Sequence, residues 1–479
     1  MKKTIKTMVL FSLVALISLT GCSGKNGNNG INGKNGTNGT NGESSPFLTV
    51  TSNSGQQAQL TWTQLAGATS YKVYSSTVAG GPYSAMGTTT VPAYVLTGLI
   101  TGTTYYFVVT AVLSSGESPY SNVVSFRPYA MYAYPGFHNP IGIAIDNAGN
   151  VWVTNEGDNT VSELSPTTVA GIYQTIATYD VSSNPYGGIA IDNTGNIWVT
   201  NEGNNSVTEL SPTSTPGIYQ TNTTYDVGYY PYGIAIDKSG NVFVVNECAD
   251  SICNNGSVTE LSSTSTPGIF QTNTTYDVGL YSYVMAFDAS GNAWVVNECA
   301  DSSCNNGSVT ELSPTSTPGI YQTITTFMTG YESYGIAIDK SSNVLVVNYG
   351  AGNNGSVTEL SPDGTGGYFT YTTYTAGIGY EPEGGIAIDN SGNVWITNYC
   401  ADSNCNNASV TELSPIDGTN YYFNTAYDFP GYGYGIAIDA FGNIWLTDDN
   451  NTVTELNGIT TGPQSWPYAG PVFPGNGFW

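Results

Sequence analysis

The chain has 479 residues, with 9 Lys+Arg against 35 Asp+Glu, a formal net charge of −26 and only 9% charged residues. Such acidity argues against nucleic acid or an anionic membrane surface as partner, because their phosphates would be repelled. The single histidine, His138, excludes His-rich metal centres and makes Ser-His-Asp hydrolysis a poor fit, while plentiful Gly, Thr, Val, Tyr and Asn favour strands over helices.

Lys2, Lys3 and Lys6 precede an apolar run from Met8 to Leu19, too short to span a bilayer and shaped like a signal peptide over residues 1–21. It ends in Leu19-Thr20-Gly21-Cys22, which resembles a bacterial lipobox. The resemblance implies cleavage before Cys22 and a diacylglycerol on its sulfur. The protein would then sit in the cell envelope, touching the membrane through its lipid anchor only. Ser23 after the cysteine points to outer-membrane or cell-surface sorting. Residues 22–45 read as a Gly/Asn-rich tether. Glycine recurs at every third position from Gly21 to Gly42, but no proline supports a collagen triple helix, so a flexible coil is expected.

Residues 46–128 alternate apolar runs with Gly, Ser and Pro turns, as a half-buried sheet requires. Leu60-Thr61-Trp62 and Tyr71-Lys72-Val73-Tyr74 read as strands, the first carrying a core tryptophan. The stretch from Leu99 to Val109 resembles the corner and following strand of a fibronectin type III domain, with Tyr105 as the corner tyrosine. Thr101 stands where that family usually has proline. Gly116-Glu117-Ser118 and Val123-Val124-Ser125 fit its last turn and strand.

From residue 129 onward one phrase repeats. Gly-Ile-Ala-Ile-Asp begins at Gly142, Gly188, Gly233, Gly335, Gly385 and Gly435, and Val284 to Asp288 is a degenerate copy. Each copy leads into a turn such as Asn147-Ala148-Gly149-Asn150, a strand like Val151-Trp152-Val153-Thr154-Asn155, a polar loop, then Val-Ser/Thr-Glu-Leu. A fourth apolar segment follows. Four short strands per unit, seven times over, predict a seven-bladed β-propeller over 129–479, so the whole chain is expected to be all-β. The wording resembles NHL-type propellers and, more closely, the virginiamycin B lyase-like group. That group uses histidines, whereas His138 falls here in a linking loop. Tyr129 to Pro135 stands where an outer strand belongs, which predicts that it closes the seventh blade against Thr452–Leu456. The rival is closure by Trp466–Phe473, and the tail from Gly458 otherwise reads as an irregular cap.

The propeller carries 33 acids and only Lys238 and Lys340 as bases. Its remaining cysteines form three Cys-x4-Cys pairs, Cys248/Cys253, Cys299/Cys304 and Cys400/Cys405, in one loop of repeats three, four and six. An oxidising envelope makes them local disulfides; the zinc alternative needs thiolates from different blades to converge. The same face collects Glu156, Glu202, Glu247, Glu298 and Asp449 at one repeat position, where Tyr349 and Tyr399 stand in repeats five and six. Tyr232, Tyr283, Tyr334 and Tyr434 lie beside them, with Glu332, Glu381 and Glu383 on neighbouring loops. These are either solvated turn residues with packed tyrosines or a recognition face for a glycan, a protein or a divalent cation such as Ca2+. The four glutamates are expected to form a negative arc. Two functions remain: a cell-surface binding protein with no catalytic residues, or a propeller enzyme of virginiamycin B lyase-like or gluconolactonase-like type.

Overall fold

Alternation of apolar and polar side chains makes Gln57–Trp62 and Ser70–Ser76 strands with one buried face each. The computed structural model describes residues 45–458, apart from 55, 169–170, 216, 265–268, 318–319, 351–354, 364–367, 376–377, 383, 402–403, 406 and 416–420. The expected signal peptide, the tether with Cys22, Glu383 and the tail beyond Gly458, including the rival closing segment, lie outside the described residues. Among the described residues the one helical element is a 3-10 turn at Glu202–Asn204, and no helix is long and apolar enough to cross a membrane.

The first module has two sheets. Leu48–Ser54, Gln57–Trp62 and Ala93–Leu96 form one; Ser84–Thr89, Ser70–Ser76, Tyr105–Leu113, Gly116–Glu117 and Val124–Phe126 form the other. Their inner faces share a core of Leu60, Trp62, Tyr71, Val73, Phe107 and Val109, with the Trp62 and Tyr71 rings edge to face at 5.3 Å. The Tyr105 hydroxyl accepts the Ile100 N–H at 3.2 Å, which is the corner bond expected of it.

Beyond it stand seven four-stranded antiparallel sheets. In the first, Pro140–Ile145, Val151–Asn155, Thr160–Pro166 and Tyr173–Asp180 pair in order, with Trp152 opposite Ala144 and Glu163. The first five residues of the second strand are buried in every sheet, because neighbouring sheets cover both its faces. Consecutive first strands approach through backbone at the phrase's glycine. A Cβ on Gly233 would stand 2.5 Å from Tyr283 O, and one on Gly435 would stand 2.5 Å from Ile141 O. Only glycine permits that approach.

The last of these contacts joins repeat seven to repeat one, and the Thr447 hydroxyl donates to Ile141 O at 2.6 Å beside it. The seventh sheet is completed by Ala130–Pro135, which pairs with Thr452–Asn457 and sets Tyr132 opposite Glu455. The closure predicted from the sequence is therefore the one observed. Ala130–Pro135 is thus the outer strand of that sheet, and backbone hydrogen bonds tie the segment before repeat one to repeat seven.

The repeated acids are structural, and they are linked. Asp146 accepts the Ala148 and Asn150 N–H groups, the Asn150 amide and, at 3.2 Å, the Trp152 indole N–H. The same indole bond recurs at Asp192/Trp198, Asp288/Trp294, Asp389/Trp395 and Asp439/Trp445. Repeat five has Leu345 in place of tryptophan, and there the Tyr421 hydroxyl reaches Asp339 instead, at 3.2 Å. The glutamate of each Val-Ser/Thr-Glu-Leu phrase is buried. A tyrosine of the outer strand usually serves it: Tyr179 to Glu163, Tyr225 to Glu209, Tyr276 to Glu260, Tyr374 to Glu359 and Tyr134 to Glu455. Burial, and secondarily the neighbouring Asp146 or Asp439, pushes Glu163 and Glu455 up to about 7.

Candidate functional site

Because the first strand leaves one face and the second returns to it, two loops of every repeat meet there. In six repeats a residue at the start of the first strand or in the loop before it lies in the left-handed region: Asn139 (φ 51°), Asn184 (56°), Tyr230 (52°), Tyr281 (52°), Glu332 (48°) and Glu381 (51°). That residue's carbonyl accepts the N–H of the residue just after the second strand. The pairs are Asn139 with Glu156 (3.1 Å), Asn184 with Glu202 (2.8 Å), Glu332 with Tyr349 (2.8 Å) and Glu381 with Tyr399 (3.0 Å). Tyr432 and Asp449 pair likewise, at 3.3 Å. Strand register puts Tyr230 opposite Glu247 and Tyr281 opposite Glu298.

Each of the seven pairs therefore holds one carboxylate. The sequence places Glu332 and Glu381 on loops neighbouring Tyr349 and Tyr399, and in the structure they supply the acid from the opposite side of the same pair.

These carboxylates are held by their own loops. Asn139 Nδ2 donates to Glu156, and Asn184 Nδ2 donates to Glu202 Oε2 at 2.8 Å. Burial raises both acids, and the Glu156 charge raises Glu202 further. Adjacent repeats thus bring their carboxylates within electrostatic reach. Asp449 Oδ1 accepts the Tyr432 N–H at 2.8 Å. The Tyr283 hydroxyl donates to Glu298 Oε2 at 2.8 Å, and burial together with the Glu298 and Glu247 charges drives that phenol strongly upward.

The tyrosines touch one another. Ring centroids lie 5.1 Å apart for Tyr186 and Tyr232, 4.7 Å for Tyr232 and Tyr283, 5.2 Å for Tyr283 and Tyr334, and 6.4 Å for Tyr334 and Tyr349. A second group joins Tyr399 to Tyr432, stacked at 4.4 Å, and to Tyr434 at 5.9 Å. Tyr434 is raised by burial and by the neighbouring Tyr399 and Tyr186. Tyr186 was not singled out from the sequence because repeat two has an extra glycine, Gly187, which shifts it by one position.

Cys248–Cys253, Cys299–Cys304 and Cys400–Cys405 are disulfides, with Cα atoms 4.6, 4.6 and 4.7 Å apart. Asp250 shapes the first loop by accepting the Ile252 and Cys253 N–H groups. Glu247 lies with Cys248 and Cys253, and Glu381 with Cys400 and Cys405, within metal-ligand reach. Disulfide sulfur is not a thiolate, so neither trio offers a soft metal more than one anionic ligand. Among the described residues no three carboxylates converge at that range, and hard calcium needs several oxygens. His138 is bound to Asp158 at 2.8 Å in an exposed ion pair.

Residues 44–127 match the fibronectin type III domain model, and this part of the chain is such a domain. Over 79 residues the chain is 42% identical to a poly(3-hydroxybutyrate) depolymerase from Ralstonia pickettii, a stretch that is 16% of this chain and 15% of that one. The chain thus spans less than a fifth of that relative's length. A putative 6-phosphogluconolactonase from Bacteroides uniformis superposes with a TM-score of 0.51 at 12% identity, covering 76% of this chain and 97% of that one. At that identity the likeness is one of fold, a propeller-like arrangement of sheets. A virginiamycin B lyase from Staphylococcus aureus gives a TM-score of 0.49 at 16% identity, covering 69% and 99%.

Proposed function

We propose that the protein is a lipid-anchored binding protein of the cell envelope, its seven sheets the blades of a propeller whose loop face recognises a glycan or protein ligand. The observation that carries this reading is the run of touching rings from Tyr186 to Tyr334, with Glu298 bound to its third member. Rigid aromatic rings offer apolar area at low entropic cost, and adjacent carboxylates accept hydrogen bonds from hydroxyls or cations. A divalent cation such as Ca2+ would act by bridging ligand to carboxylates. Cys22 would carry the anchor, and the fibronectin type III domain would set the spacing from the membrane.

The test is a glycan and surface-protein binding screen on the full-length chain in detergent, with and without EDTA. Saturable binding that weakens about 10-fold or more in Tyr283→Ala is the expected result, as for a buried aromatic anchor. Turnover of a lactone or macrocyclic ester by the same preparation would instead favour the enzyme reading.

A further inference from the structure

The propeller's repeats are near copies, so places where one departs from its neighbours are informative. The fifth residue of the second strand is a buried asparagine in most repeats. Its amide N–H group bonds two hydroxyls of the third strand: Asn246 to Ser257 and Thr259 (3.1 and 3.0 Å), and Asn297 to Ser308 and Thr310 (3.1 and 3.0 Å). Its oxygen is treated differently from repeat to repeat. Asn297 Oδ1 accepts from Ser282 Oγ at 2.7 Å, and Asn348 Oδ1 accepts from Ser333 Oγ at 2.8 Å. In repeat three the register partner is Pro231, which has no donor, and Asn246 Oδ1 is buried with no protein partner. Such an acceptor costs about 1–3 kcal/mol unless something else satisfies it.

A cavity of about 260 Å3 lies beside this asparagine, lined by Asp226, Tyr229, Ser257, Thr259, Thr272 and Thr275 among others. Gly228 is also in its wall, and a Cβ there would fall 2.6 Å from Asn246 Cγ. The Gly228 backbone thus lies between the asparagine and the cavity, packed directly on both.

The lining chemistry specifies a ligand. Ser257 and Thr259 already accept hydrogen bonds from Asn246, so each retains its own O–H to donate. Thr272 donates to Asp226 O at 3.4 Å, which leaves its oxygen to accept. The Asp226 carboxylate only accepts when ionised. The wall thus needs a molecule that donates and accepts at once from several neighbouring positions. Sugar hydroxyls do so. Tyr229, 40% exposed at the rim, offers an aromatic face to the apolar C–H side of a sugar ring. The acidic propeller disfavours anionic sugars.

We propose that this cavity, between the second and third sheets, binds one neutral pyranose ring. The inference rests on the glycan reading of the loop face and assigns it a subsite away from the tyrosine run.

Ligand-observed NMR and calorimetry on the full-length chain with a panel of methyl pyranosides tests it. One member should bind saturably. Thr259→Val, which removes a hydroxyl at nearly constant shape, should weaken it about 10-fold, the equivalent of about 1.4 kcal/mol. Thr310→Val, the same position in repeat four, should leave the affinity unchanged. Absence of saturable binding by any pyranoside, or equal affinity in Thr259→Val, overturns the proposal. Glycan-screen binding that survives Thr259→Val would retire this cavity alone and leave the loop-face reading standing. Pyranoside binding that depends on Thr259, with a silent screen, would retire the loop face instead.

Discussion

Carboxylates in the propeller live in two environments that the repeat keeps apart. Inside each sheet, a buried glutamate and a buried or half-buried aspartate are engaged by a tryptophan, an asparagine or an outer-strand tyrosine, as at Asp146 and Glu163. At the loop face, one half-buried acid per repeat leans on a loop partner, as Glu202 does on Asn184. Identical chemistry is thus used for cohesion in one place and left addressable in the other. The difference follows from strand pairing. Interior glutamates sit on the third strand and the aspartates in the turn after the first, whereas the loop-face acids stand at the far end of the second strand or, for Glu332 and Glu381, just before the first, where covering ends.

The largest expected effect lies on the interior side. Trp198 is fully buried, packs edge-on to Phe270 at 4.7 Å and donates to Asp192. Trp198→Ala should lower unfolding free energy by about 3–5 kcal/mol, measured by denaturant titration. Tyr349→Ala, at the loop face, should cost less than half as much. Equal losses would mean that the two environments are not energetically distinct.

A second test uses pH. Glu163 and Glu455 stand at about 7 in the folded protein, above the ordinary carboxylate value of 4.5. A raised folded value means that the native state holds the proton more tightly than the unfolded chain. Their contribution is therefore complete below about pH 4.5 and is lost as pH rises through 7. Thermal melts should show stability falling between pH 5 and 8, by on the order of 1–3 kcal/mol per site. Glu163→Gln with Glu455→Gln should flatten that fall. An unchanged slope in the double variant would assign the pH dependence to general repulsion among surface acids.

How far the sequence reached depends on whether information was repeated or relational. Glycine, aspartate and tryptophan recur at fixed spacing, so the four-strand unit, the disulfide pairs and closure by Ala130–Pro135 were legible. The pairing of Glu332 with Tyr349 was not, because an acid that changes side across a two-residue contact keeps its place in space and not in the repeat. Tyr186 escaped through a single inserted glycine. The bond between tryptophan and aspartate also went unread, since each residue already had a sufficient reason of its own.

Disulfide reduction probes the loop face with a smaller effect. Each bridge closes six residues, for which loop-closure entropy gives about 2 kcal/mol. Reduction of the native protein should leave far-ultraviolet dichroism unchanged while lowering the melting temperature by a few degrees. Loss of the sheet signal would show that these loops hold the sheets themselves.

The smallest expected change is the most discriminating, because it compares two repeats at one position. Ser282 donates to buried Asn297 in repeat four, whereas Pro231 leaves Asn246 without a donor in repeat three. Pro231→Ser should gain about 1 kcal/mol from the new hydrogen bond. It should also lose about 0.4–1 kcal/mol, because serine frees the unfolded chain that proline restrains. The net shift is expected to lie within roughly 0.5 kcal/mol of zero by these two terms. Ser282→Pro should instead lose about 0.5–1.5 kcal/mol with the Ser282 hydrogen bond, since Asn297 Oδ1 keeps the Gly279 N–H at 3.0 Å, and the loss is partly offset by the stiffer unfolded chain. Denaturant titration of both variants measures the asymmetry directly. Equal and opposite shifts would mean that both oxygens are equally well served in the native protein, and the contrast between the two repeats would disappear.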